Sequence, residues 1–183
     1  MQIVSNQKTI WTIGHSTRPF EELVALLHAH NIQLLADVRS FPGSRKYPQF
    51  NKEALEMALP ENGIEYLHLK DLGGRRKVSP ESKNTAWRHP AFRGYADYME
   101  TPAFDKALKE LETIASQKPT AIMCSEAVWW RCHRSMISDA LKVRGWTVLH
   151  IGSGQKTTEH PWTAPARVEN DELHYDDPGT ANS

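Results

Sequence analysis

The chain alternates short apolar runs with stretches whose apolar residues recur every three to four positions. Five runs predict strands: Ile10–Gly14, Gln33–Val38, Ile64–Leu69, Thr120–Cys124 and Trp146–Ile151. After the first, Phe20, Leu23, Val24 and Leu27 trace one face of an amphipathic helix, with Ser16 or Thr17 as its cap and Pro19 in its first turn. Asn51 opens a second, shorter helix, which Pro60 and the Asn62–Gly63 turn close. A third is capped by Thr101, begins at Pro102 and lines up Phe104, Ala107, Leu108 and Leu111. The last runs from about Cys132 to Arg144, and Gly145 stops it.

This alternation predicts an α/β fold: a single three-layer domain, residues 1–152, with a mostly parallel sheet of about five strands and helices on both faces. The polar segment Leu72–His89 is too long for a bare connector. Residues 153–183 lose periodicity and read as a polar C-terminal extension, expected to be poorly ordered.

Lys plus Arg (22) balance Asp plus Glu (22), so no global field draws the chain to nucleic acid or membrane. Anion binding has to come from local clusters. Two cysteines, Cys124 and Cys132, are too few for a disulfide-stapled secreted scaffold. Met1–Trp11 lacks the order of a signal peptide, and no run approaches the roughly 20 apolar residues of a membrane span. A cytoplasmic protein with no membrane partner is expected. Its balanced charge and aromatics permit a homodimer without requiring one.

Ligands of open α/β sheets sit beyond the carboxyl ends of the strands. Those ends carry His15 and Ser16; Asp37 and Arg39, followed by Ser44 and Arg45; Gly73 and Gly74; and Cys124 and Glu126, followed by Cys132, His133 and Arg134. Three chemistries fit. Cys124, near a helix N-terminus and basic residues, suits a thiolate nucleophile. Glu126 and Asp37 suit an acid/base pair. Cys124, Cys132, His133 and His15 carry metal-ligating atoms, but C-x7-C-H is not a standard zinc spacing. Each residue also has a structural reading: Cys124 as a core residue, Asp37 with Arg39 as an ion pair, His15 as a turn residue.

Arg39, Arg45 and Arg134 suit a phosphate or carboxylate, assisted by Ser16, Ser44 and glycine-freed amides. Neither phosphate-loop motif, G-x-x-x-x-G-K-[ST] or G-x-G-x-x-G after the first strand, is present. Cys124 to Arg131 spaces as C-x6-R, one residue longer than the tyrosine-phosphatase loop.

IGHS, LLADVRSFPGSRKYPQF, YLHLKDLGGRR, FRGYADYM and MCSEAVWWRCHRSMISDAL together resemble the bacterial and archaeal family known as domain of unknown function 488 (DUF488). The resemblance spans about Ile10 to Ile151 and centres on Cys124, Glu126, Cys132, His133 and Arg134. Where many relatives have Asp-Pro, this chain has Val128-Trp129. The resemblance implies a compact α/β fold and carries no settled activity.

The leading expectation is an enzyme, a hydrolase or transferase, acting on a small anionic substrate such as a nucleotide, nucleoside or nucleic-acid base. Arg39, Arg45 and Arg134 would hold the anion, and Cys124 or Glu126 would act as nucleophile or base. His133 would be the acid/base partner, with Asp37 orienting Arg39 or His15. One alternative is a nucleic-acid-binding module using Arg45–Lys46, Arg75–Lys77 and nearby aromatics. Another is a metal-binding or thiol redox protein using the two cysteines. The sequence indicates no particular cofactor.

Overall fold

Strands β1 (Thr9–Gly14), β2 (Leu34–Asp37), β3 (Glu65–His68), β4 (Thr120–Cys124) and β5 (Thr147–Ile151) form on the five apolar runs, each bound within one residue of expectation. The structure, a computed structural model, describes residues 8–177. The five strands pair in parallel in the order β3-β2-β4-β1-β5.

Alternate strand residues feed two separate cores. Ile13, Leu35, Ala121 and Met123 pack under α1 (Phe20–Ala29) and α2 (Lys52–Glu61). Ile10, Ala36, Ile122 and Val148 pack under α3 (Pro90–Met99), α4 (Pro102–Gln117) and α5 (Arg134–Val143). Both faces of the sheet are therefore covered, as an all-parallel core requires. Among the described residues no helix is long and apolar enough to cross a membrane.

The expected cap of α4 is present: Thr101 Oγ1 accepts a hydrogen bond from the Phe104 amide at 3.3 Å. Other local expectations need correction. Pro19 itself caps α1, with no side-chain bond from Ser16 or Thr17. Asn51 caps α2 by position, but its Oδ1 accepts from the Ser44 amide, so it ties down the preceding loop. Pro60 lies inside the last turn of α2, which ends at Glu61. Helix α3 was not expected, and α5 starts two residues later than Cys132.

The largest correction concerns the segment after Gly152. Its sequence is polar, yet it is packed. Strand β6 (Thr157–Glu159) adds to β5 antiparallel, making a sixth strand, and β7 (Arg167–Glu169) pairs with β8 (Glu172–His174). His160, Thr163 and Tyr175 are buried. Their anchor is Asp139 of α5, a buried acid that meets all three in hydrogen bonds, while Tyr175 also packs into the core beside Trp87. Residues 1–7 and 178–183, which include most of the stretch read for a signal peptide, lie outside the described residues.

Strands β1 and β4 are neighbours, with Gly14 in register with Cys124, but the helices that follow them cover opposite faces. Two divergent connections leave a crevice at the carboxyl ends between them. That crevice holds the site.

Candidate functional site

A cavity of ≈ 750 Å³ opens at this switch point, within the range of small-molecule sites. Of the residues singled out from the sequence, His15, Ser16, Arg39, Ser44, Cys124, Glu126, Cys132 and His133 line it. Asp37, Arg45 and Arg134 do not.

Asp37 is fully buried beneath the cavity. Its Oδ1 accepts from the Arg39 amide (3.1 Å) and Nε (2.9 Å), and its Oδ2 from Arg39 Nη2 (2.7 Å) and the Tyr66 hydroxyl (2.5 Å). Four donors leave it no role as an acid/base partner of Glu126. Burial, with Asp37 beside it, raises the Tyr66 pKa and keeps that donor protonated. The two-pronged fork of Arg39 is spent on Asp37, and its Nη2 also donates to the Phe50 carbonyl at 2.6 Å. The fork is thus not available to an anion, which corrects the expectation for Arg39.

Arg39 Nη1 also holds His15. The His15 ring stacks on Phe50 at 4.4 Å, and its Nδ1–H donates to the Ser16 carbonyl at 2.8 Å. This fixes Nε2 as the acceptor of Arg39 Nη1 at 3.3 Å. Burial lowers the His15 pKa and the Arg39 charge lowers it further, against the Ser16 carbonyl, so the ring is neutral. His15 is a positioned wall of the cavity.

The two thiols meet at the cavity wall. Cys124, ending β4, and Cys132, just ahead of α5, bring their sulfurs to 2.7 Å. Two donors from Arg134, its amide (3.2 Å) and Nε (3.4 Å), point at the Cys132 sulfur. Cys132 is therefore the acceptor, and the Cys124 S–H donates to it. Burial alone would raise the Cys132 pKa; the Cys124 hydrogen bond, with His133 and Arg134, outweighs it and holds the thiol well below its usual range. Burial and the adjacent Cys132 push Cys124 the other way. The lower pKa of the pair falls on Cys132, not on Cys124, the thiol the sequence singled out.

His133 donates Nε2–H to the Val38 carbonyl at 2.6 Å, leaving Nδ1 as its basic nitrogen. Gly74 makes room for that ring: a Cβ there would lie 2.7 Å from Nδ1. Glu126 is exposed on the cavity wall, and its carboxylate has no hydrogen bond or ion pair among the described residues. Among the described residues no group of three or more His, Cys, Asp or Glu side chains is placed to hold a metal.

Arg134 is buried and nearly saturated. Besides Cys132 it donates Nη2 to the Glu126 carbonyl (2.8 Å) and Nη1 to Thr12 Oγ1 (3.0 Å). It shapes the Cys124–Cys132 loop and does not line the cavity. Thr12 in turn donates to His150 Nδ1 (2.5 Å), His150 Nε2 meets His160 Nδ1 (2.8 Å), and His160 Nε2 meets Asp139 (2.7 Å). Burial, then His160 and Arg134, lower the His150 pKa to about 2, so it is neutral and passes the hydrogen bond on. Trp129 stacks flat on His150 at 4.7 Å, a packing role.

Several cavity residues were not in the expected set. Arg131 and Arg75 stand exposed on its rim, Arg75 over the Phe41 ring at 5.1 Å. The Arg131 side chain has no partner among the described residues. The C-x6-R spacing pointed to Arg131 but was read only as a departure from another motif. His89 and Phe92 arrive from the far end of the long loop and from α3.

Fold and site together define a doubly wound α/β protein with a thiol-bearing cavity at its switch point. Within that class, the sequence model of the family described as domain of unknown function DUF488 matches residues 19–141, and the chain belongs to that family. No curated protein and no solved structure matches the chain.

Proposed function

We propose that this protein is an enzyme, a hydrolase or transferase, in which the Cys132 thiolate attacks a small anionic substrate held in the cavity. The observation that carries the reading is the convergence of the Cys124 S–H and two Arg134 donors on one sulfur at the cavity wall. Such stabilisation makes a thiolate available at neutral pH, where an ordinary thiol is mostly protonated. The sulfur bonds to an electrophilic centre of the substrate as the leaving group departs. His133, whose Nδ1 is free of the Val38 hydrogen bond, is the acid/base group beside it.

Arg131 and Arg75 supply the positive charge for the substrate anion, in place of Arg39 and Arg134. Phe41, Tyr47 and Phe92 give the same cavity aromatic surface. Charge beside aromatic rings favours a substrate that joins an anionic group to a flat ring, such as a nucleotide. The reading assigns the protein to the cytoplasm, where both thiols stay reduced.

Iodoacetamide labelling read by peptide mapping tests this. Cys132 should be alkylated at pH values below the usual thiol range, ahead of Cys124. Inorganic phosphate or a mononucleotide should slow the labelling in the native protein and not in Arg131→Ala. Cys132 reacting no faster than in the urea-unfolded chain would overturn the proposal.

A further inference from the structure

The dithiol has a property that a single nucleophile does not need. We propose that Cys132 and Cys124 also form a thiol–disulfide couple that reduces a small disulfide bearing carboxylates, with Cys132 attacking and Cys124 resolving. The inference rests on the reading of Cys132 as the nucleophile and adds a chemical role for Cys124.

The geometry is that of an exchange pair. The sulfurs are 2.7 Å apart, and a disulfide needs about 2.05 Å, so closing the bond requires little backbone movement. Cys132 is the more exposed of the two, 8% against 2%, and meets the cavity first. Arg131 and Arg75 on the rim suit the carboxylates of common small disulfides. Both sulfurs line the cavity and Cys124 is the more enclosed, so a mixed disulfide on Cys132 meets it at close range before a second disulfide molecule does.

In the first step the Cys132 sulfur bonds to one sulfur of the small disulfide, whose S–S bond breaks. The released thiolate takes a proton from water. In the second step the Cys124 sulfur bonds to Cys132, the mixed disulfide breaks, and the second thiol leaves with the Cys124 proton. Two electrons have passed from the protein to the small disulfide, which becomes two thiols. The new protein disulfide joins the two ends of the loop that carries Glu126 and Arg131. It also removes the negative sulfur that Arg134 holds, so oxidation turns off the nucleophile of the proposed enzyme.

The test uses glutathione disulfide and intact-mass measurement at neutral pH. The native protein should lose two hydrogens and carry no adduct. Cys124→Ser should accumulate one glutathione on Cys132, and Cys132→Ser should gain neither adduct nor disulfide. Thiols that stay free in the native protein, or an adduct that persists there as it does in Cys124→Ser, would overturn the couple. If Cys132 still alkylates early in that case, the nucleophile reading survives alone; if it does not, both fail.

Discussion

Arg134 and Asp139 lie five residues apart on α5, and a buried chain of hydrogen bonds through Thr12, His150 and His160 joins them end to end. Every donor in this chain can point from the guanidinium towards the carboxylate. The positive end orients the Cys132 sulfur. The negative end is where the C-terminal segment docks, because Asp139 also accepts from the Thr163 amide and hydroxyl and from the Tyr175 hydroxyl.

Removing the negative end should therefore be costly. Asp139→Ala leaves His160, Thr163 and Tyr175 without their acceptor in a dry interior. Urea unfolding should show a loss of about 3–5 kcal/mol, the range for breaking a buried pair from one side. A loss of only a few tenths of a kcal/mol would mean that the segment docks by other contacts.

The middle of the chain should set the acid limit of stability. In the unfolded chain His150 protonates near the ordinary histidine value of 6.5, whereas the folded protein holds it neutral to about 2. A depressed folded value means that stability is full above pH 6.5 and is lost as pH falls below it, by up to about 1.4 kcal/mol per pH unit for one proton. His15, lowered chiefly by burial, adds to the slope in the same direction. Urea midpoints of His150→Gln should fall less steeply on acidification. An unchanged slope would show that His150 is not the group responsible.

Sequence reading recovered the parts of this molecule that depend on local pattern. The five parallel strands stand where Val, Ile and Leu cluster, and Thr101-Pro102 marked α4 by its cap. Helix α3 was missed because FRGYADYM carries aromatics and Gly94, where a Cβ would lie 2.4 Å from the Arg76 carbonyl oxygen; packing against the long loop, not propensity, selects that helix. The strand-end rule gathered most of the cavity residues. It could not single out one sulfur, because Arg134 is close in sequence to Cys132 and acts on both thiols. Nor could it show that Arg39 spends its fork on Asp37. His160 was illegible for another reason: a lone histidine in a polar segment has no period to give it away.

The engaged fork of Arg39 leads to a separate expectation. Arg39→Lys keeps the charge and loses the paired bonds to Asp37, so stability should drop by about 1.5–3 kcal/mol. That loss, read from urea melts with and without phosphate, should outweigh any change in phosphate affinity. A stable variant with lost phosphate binding would return the fork to the ligand.

Gly14 offers a test of how tightly the Cys124–Cys132 loop is seated. A Cβ there would lie 1.6 Å from the Glu126 carbonyl oxygen, the atom that Arg134 Nη2 also holds. Gly14→Ala must push the loop away, costing about 1–3 kcal/mol and slowing the alkylation of Cys132. Gly43→Ala, with nothing within 4 Å of its Cβ, is the control. Equal labelling rates in the two variants would separate the loop's position from thiol reactivity.

The docking of His160, Thr163 and Tyr175 on Asp139 also sets an order of events on the ribosome. Chains emerge and fold from the N-terminus, and all five parallel strands, both thiols and Asp139 have been synthesised by Ile151. The partners of Asp139 are translated afterwards. A nascent chain that has reached Gly152 holds the five parallel strands, without β6, around an acid with no acceptor contacts filled, and the hydrogen-bond chain behind Cys132 closes only when the following segment arrives. Translation thus delivers the parallel strands first and the partners of Asp139 last.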